Sequence, residues 1–162
     1  MPKPHEPRTV RIRNLAVESA WRVVARWFAV AVVVNYPWEM AQSLLYAGMP
    51  PLTTLWWHCL VASLGDGALV LTIFGVVSLA VRRRDWFVHL RPGGYAAMLV
   101  VGFAIAVGVE LLALRTGRWS YTPSMPVLPW PQVGVVPVIQ MLLLPPLIFC
   151  IAGRLRGRGA DV

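Results

Sequence analysis

Acidic residues are scarce in this chain: seven Asp and Glu stand against fifteen Lys and Arg, for a formal net charge of +8. Cysteine is scarcer still, with only Cys59 and Cys150. Neither belongs to a C-x-x-C pair, and no His/Cys cluster has metal-ligand spacing. No metal and no other cofactor is therefore implied, and no disulfide is expected between two residues placed near opposite membrane faces. Met1 to Arg26 has basic residues but no uninterrupted apolar core and no small-residue cleavage site, so it does not read as a secretory leader.

Charged residues of both signs make up only 14% of the 162 residues, while 57% are hydrophobic and mean hydropathy is +0.62. A soluble domain could not cover that much apolar surface, so the composition is that of an integral membrane protein. In a soluble chain the basic excess would point to nucleic acid. Here the arginines cluster at the ends of apolar runs, where topology and anionic lipid headgroups account for them. Membrane lipid is the expected partner and nucleic acid is not.

The expected architecture is all-α: a polytopic four-transmembrane-helix bundle in one membrane domain, 1–162, with a short N-terminal interfacial helix. Residues 1–25 are read as cytoplasmic and interfacial, the basic and apolar alternation from Arg8 to Val24 suiting a helix lying in the interface. The spans fall at about 26–46, 55–81, 95–114 and 133–152, each near the ~20 residues that cross ~30 Å of hydrocarbon. Residues 153–162 form a cytoplasmic tail. Pro37 in the first span and Pro145 and Pro146 in the fourth are expected to bend their helices. Gly65 and Gly67 are expected to allow a neighbouring helix close approach. Gly102, Phe103 and Ala106 are read as sharing the inward face of Glu110. Arg83, Arg84, Trp86, His89 and Arg91 belong to the second connector. The third, Arg115 to Gln132, carries four prolines, which forbid a regular helix there; it is read as an ordered lid.

Thirteen of the fifteen basic residues lie at the N-terminus (Lys3, Arg8, Arg11, Arg13, Arg22, Arg26), the second connector (Arg82, Arg83, Arg84, Arg91) and the C-terminus (Arg154, Arg156, Arg158). Only Arg115 and Arg118 lie on the opposite side. The positive-inside rule then predicts a multi-pass protein of the bacterial inner membrane with both termini in the cytoplasm.

Against that apolar background a few polar groups stand out. Asn35, Glu39, Gln42 and Tyr46 fall at i, i+4, i+7 and i+11, one face of a helix. A charge near the bilayer centre costs roughly 2.5 kcal/mol or more, so such a residue is expected to face a protein interior. His58 and Asp66 lie about 80° apart around the second span, Glu110 is near the end of the third, and Gln140 is in the fourth. At 1.5 Å per residue Glu39, His58, Asp66, Glu110 and Gln140 all fall in the central or outer part of the membrane, beneath the proline-rich loop.

The chemistry these side chains share is general acid/base work. Glu39, His58, Asp66 and Glu110 are the catalytic candidates: the glutamates as proton donors or cation stabilisers, His58 with Asp66 as a relay. Asn35, Trp38, Gln42, Trp57, Arg115, Arg118, Trp119, Tyr121 and Gln140 are candidates for holding a lipophilic small-molecule substrate, the aromatics through their π faces. The structural alternative treats the same polar groups as interhelical glue, an Arg115 or Arg118 ion pair to Glu110, or a proton path. In that case the chain is a transporter subunit or a lipid- or partner-binding protein, and four spans then call for a homodimer or partner.

The stretch Glu110 to Ala152 resembles the repeat unit of the small membrane lycopene cyclases. That family has an acidic residue on one helix, a G-x-W-x-[YF] loop and then a proline-led helix with carboxylates. Glu110, Gly117, Trp119 and Tyr121 match the first part; the fourth span departs, with Gln140 where the family has acidic residues. The resemblance implies an isomerase or cyclase in carotenoid biosynthesis, acting on a carotenoid or other isoprenoid substrate without redox chemistry.

Overall fold

The computed structural model describes residues 8–82 and 92–157, with side chains over 21–82 and 92–154. The chain is all-helical: α1 (Arg8–Gln42), α2 (Leu52–Val81), α3 (Pro92–Arg115) and α4 (Val135–Gly157), with one 3₁₀ turn at Ser43–Leu45. Among the described residues the extended pairing is limited to two isolated bridges in loops. Three helices are long and apolar enough to cross a membrane: α2, α3 and the Val135–Arg154 part of α4. That is the pattern of a multi-pass membrane protein. The connector over 83–91, with Arg83, Arg84, Trp86, His89 and Arg91, lies outside the described residues, as do 1–7 and 158–162.

The expected break between an interfacial helix and a first span is not seen. α1 runs unbroken for 35 residues. The reason is local: no glycine or proline occurs between Arg8 and Tyr36, so nothing interrupts the i→i−4 ladder before Pro37. α1 ends in the short turn at Ser43–Leu45, and Pro50 and Pro51 then redirect the chain. The Pro51 carbonyl accepts from the amides of Thr54 (2.9 Å) and Leu55 (3.0 Å), which starts α2 at Leu52 rather than at 55. α2 stops at Val81, where Arg82 takes a left-handed conformation (φ 55°) and donates its amide to the Leu79 carbonyl. α4 begins at Val135, later than expected, because the Val133 carbonyl accepts from Leu128 (2.9 Å) and the Val135 amide donates to Pro126 (2.8 Å). Those bonds hold the 126–135 segment as a closed loop.

The helices pack in ring order, α1 against α2 and α4, α3 against α2 and α4. The half toward the start of α1 is packed with apolar side chains. Trp27 meets Phe74 edge-on at 4.7 Å and Phe149 at 5.6 Å, with Val70, Ile73, Val77 and Ile148 buried around them. The polar groups lie above this layer.

Two close approaches set the helix spacing. A Cβ on Gly102 would lie 2.6 Å from the Met141 carbonyl oxygen. That carbonyl is special by sequence: its i+4 and i+5 donors would be Pro145 and Pro146, which have no N–H. The carbonyl faces a glycine Cα–H instead, a weak but favourable contact. Gly67 sits against Phe28 (2.9 Å to a Cβ) and Val32, whereas Gly65 has nothing within 4 Å. Of the two glycines beside Asp66, only Gly67 serves helix approach. Phe103 also departs from its expected place. Gly102, Ala106 and Glu110 are buried, but Phe103 is 44% exposed, because its one-residue offset from Gly102 rotates it 100° away. Gly102→Ala is expected to destabilise the fold by about 2–3 kcal/mol, since a backbone carbonyl cannot move aside as a side chain can. Gly65→Ala should leave thermal unfolding in detergent unchanged or slightly improved, because alanine is the better helix former. Equal midpoints for the two variants would remove the α3–α4 contact from the account.

Candidate functional site

Two polar clusters are stacked along the bundle. The deeper one is built on Gln140, which is 2% exposed. Its Nε2 lies 2.9 Å from Asn35 Oδ1, 2.9 Å from Glu39 Oε1 and 2.9 Å from Asp66 Oδ2. An amide nitrogen has two hydrogens, so three acceptors share two donors. Gln140 Oε1 accepts from Gln42 Nε2 at 3.0 Å, and Gln42 Nε2 also donates to Glu39 Oε1. Gln42 Oε1 accepts from Trp38 Nε1 at 3.2 Å, and Asn35 Nδ2 donates to the Ala31 carbonyl at 2.9 Å. One side chain on α4 thus ties together α1 and α2.

Glu39 Oε1 and Asp66 Oδ2 thus converge on one amide nitrogen, 2.9 Å from each. Two ionised carboxylates sharing one amide donor would repel, and a proton on one of them would relieve the repulsion. The partners of the pair are amides. Each carboxyl is half-buried, while Asn35, Gln42 and Gln140 are buried.

The second cluster surrounds Glu110, which is 3% exposed. The turn after α3 explains how it forms. Gly117 adopts φ 65°, with its amide on Leu114 O (3.2 Å) and the Arg118 amide on Ala113 O (2.9 Å). This pair of bonds is the Schellman arrangement, which favours glycine because the φ is positive. It reverses the chain over the end of α3. The following segment is extended, pairing Tyr121 with Tyr46. Alternate residues of an extended segment share a face, so Trp119 and Tyr121 both return to Glu110. Trp119 Nε1 donates to Glu110 Oε2 at 3.2 Å, Tyr121 Oη donates to the same oxygen, and Tyr46 Oη donates to Oε1 at 3.2 Å. Tyr121 Oη accepts from the Gly134 amide at 2.8 Å. Burial, then the bond to Glu110, raises the Tyr121 phenol above its ordinary range, so it stays a neutral donor. The three rings pack together, Tyr46 to Trp119 at 6.0 Å and to Tyr121 at 5.7 Å. Main-chain bonds seal the loop to the end of α1: Ala47 N to Ser120 O (2.9 Å) and Thr122 N to Leu45 O (3.0 Å).

The structure therefore brings together Asn35, Glu39, Gln42, Asp66 and Gln140, with Trp38 beside them, and separately Glu110, Trp119 and Tyr121. It does not bring in His58. The buried stripe of α2 runs Leu55, Cys59, Ser63, Gly67 and Val70. His58 precedes Cys59 by one residue and is exposed, so Asp66 is bonded to Gln140 instead of an imidazole. Trp57 is 56% exposed on the same outer side. Arg115 and Arg118 are also exposed; Arg118 lies over the Trp119 ring at 5.9 Å, and Glu110 takes aromatic donors. Tyr46 is a ligand of Glu110 that the candidate residues omit, although its place on the Asn35–Glu39–Gln42 face already aimed it inward. Cys59 and Cys150 are free thiols, one buried and one exposed.

Comparison with protein-family models, with curated proteins and with solved structures finds no match to this chain.

Proposed function

We propose that the chain crosses the bacterial inner membrane four times, with both termini cytoplasmic, and works as a cofactor-independent acid/base isomerase or cyclase on an isoprenoid-type lipid. The observation that carries this reading is the convergence of two carboxyl groups of different helices, Glu39 and Asp66, on the buried Gln140 amide nitrogen, 2.9 Å from each; held that close inside an apolar bundle, in this reading they share one proton. In that setting the proton is available to an olefinic carbon. Adding it to a C=C bond leaves a carbocation on the substrate and a second carboxylate in the pair. Loss of a proton from a neighbouring carbon to that carboxylate restores the dyad and yields an isomer, or a ring if another double bond has attacked the cation first. Nothing is oxidised or reduced. The Glu110 carboxylate and its aromatic cage stabilise positive charge above the dyad. The resemblance of Glu110, Gly117, Trp119 and Tyr121 to the small membrane lycopene cyclases supports the same substrate class.

One observation favours a second reading. Among the described residues, every buried side-chain nitrogen and oxygen has a hydrogen-bond partner. A network this complete also serves as interhelical glue in a non-enzymatic membrane protein.

Deuterium incorporation separates the two. The protein is reconstituted in vesicles with a lipid extract containing carotenoids and polyprenols, in deuterium oxide, and the lipids are analysed by mass spectrometry. An acid/base isomerase or cyclase places deuterium on carbon in at least one isoprenoid species. No carbon-bound deuterium above protein-free vesicles leaves the glue reading.

A further inference from the structure

A groove of about 480 Å³ lies outside both polar clusters, between α3 and the tip of the loop that follows it. One wall is the flank of α3 beside its buried stripe: Phe103, exposed, then the half-buried Val107 and Leu111, spaced four residues apart, with Arg115 one turn further on. The other wall is Trp130 with its flanking prolines; Trp130 is 86% exposed. Ala106 and Glu110 turn away from it into the bundle, so the groove opens toward the membrane.

We propose that this groove binds one phosphate-headed glycerolipid of the leaflet that holds the loop. Arg115 takes the phosphate, and one acyl chain runs down the Leu111, Val107 and Phe103 side of α3. Three observations fit that occupant. The wall is apolar along its length and cationic only at its loop end, which complements an amphiphile with an anionic head. From Arg115 to Phe103 is twelve residues, about 18 Å along a helix, a little over half the ~30 Å of bilayer hydrocarbon. That is the depth of one leaflet. A guanidinium presents paired donors that match phosphate geometry, and an indole beside it suits the headgroup boundary. The inference does not depend on the acid/base reading, since none of the groove residues belongs to either polar cluster.

The test uses the full chain in vesicles containing phosphatidylglycerol and a diacylglycerol with the same chains. Native mass spectrometry after mild extraction counts the lipids retained. The wild type is expected to keep one phosphatidylglycerol in preference to diacylglycerol. Arg115→Gln should retain it about tenfold less, the loss expected for one charge-assisted hydrogen bond to phosphate. Val107→Trp fills the groove from the membrane side and should abolish retention. Arg82→Gln, at the far end of α2, should change nothing. Should Val107→Trp fail to fold, Arg115→Gln decides alone, because its side chain is exposed. Equal retention of diacylglycerol, unchanged retention in Arg115→Gln, or a second protein chain in place of the lipid each overturns the proposal.

Discussion

Gln140→Leu is expected to be the most damaging single substitution in the bundle, lowering stability by about 3 kcal/mol. Leucine is similar in size, so the loss is not one of packing. What disappears is the N–H source for Asn35, Glu39 and Asp66 and the acceptor for Gln42. Individual interhelical hydrogen bonds in membrane proteins are modest, averaging about 0.6 kcal/mol. The larger cost comes from leaving several buried polar groups without partners at once, roughly 1–3 kcal/mol for each that stays unsatisfied. Relaxation and water entry recover part of this. Ile139→Ala, one residue away on an exposed face, should cost far less. Unfolding of both variants in the same detergent measures the difference. A Gln140→Leu protein as stable as the wild type would mean that the hub bonds contribute nothing net.

Glu39→Gln is expected to separate chemistry from stability. The amide carbonyl can still accept from Gln42 and Gln140, so the geometry persists without the shared proton of the dyad. Stability should stay within about 1 kcal/mol of the wild type, the scale of one exchanged hydrogen bond. Deuterium transfer to isoprenoid carbon should fall by roughly 10²–10⁴, the range attributed to a positioned general acid. Asp66→Asn should behave in the same way, because the proposed dyad needs both carboxyl groups to hold its shared proton in place. His58→Ala should leave transfer intact, since the imidazole stands outside the cluster. If transfer survives both dyad variants, the proton comes from elsewhere and the proposed role of the pair is lost.

Much of the helical layout was legible in the residues. Long apolar runs bounded by arginine or proline marked α2, α3 and α4. The 3.6-residue period placed Asn35, Glu39, Gln42 and Tyr46 on one face, and three of them meet Gln140 or its partners while Tyr46 meets Glu110. The misplaced residues share one cause. Approximate angular separation points His58 and Phe103 inward, yet one residue of offset, 100° on a helix, decides between core and exterior. Periodicity gives relative angles along one helix; the neighbour it packs against sets which angle is inside. For the same reason Gly65 and Gly67 looked equivalent, and only one touches α1.

The sequence by itself determined that the chain is apolar, helical and studded with a few inward-facing polar groups, because composition and period follow from the cost of placing charge and bare backbone in hydrocarbon. The tertiary structure decided which of those groups meet. The choice of Gln140 as the common donor to Glu39 and Asp66, and the folding of Trp119 and Tyr121 back onto Glu110, join residues on separate helices and loops. Such contacts depend on the relative height and rotation of whole helices, which no single stretch of sequence encodes.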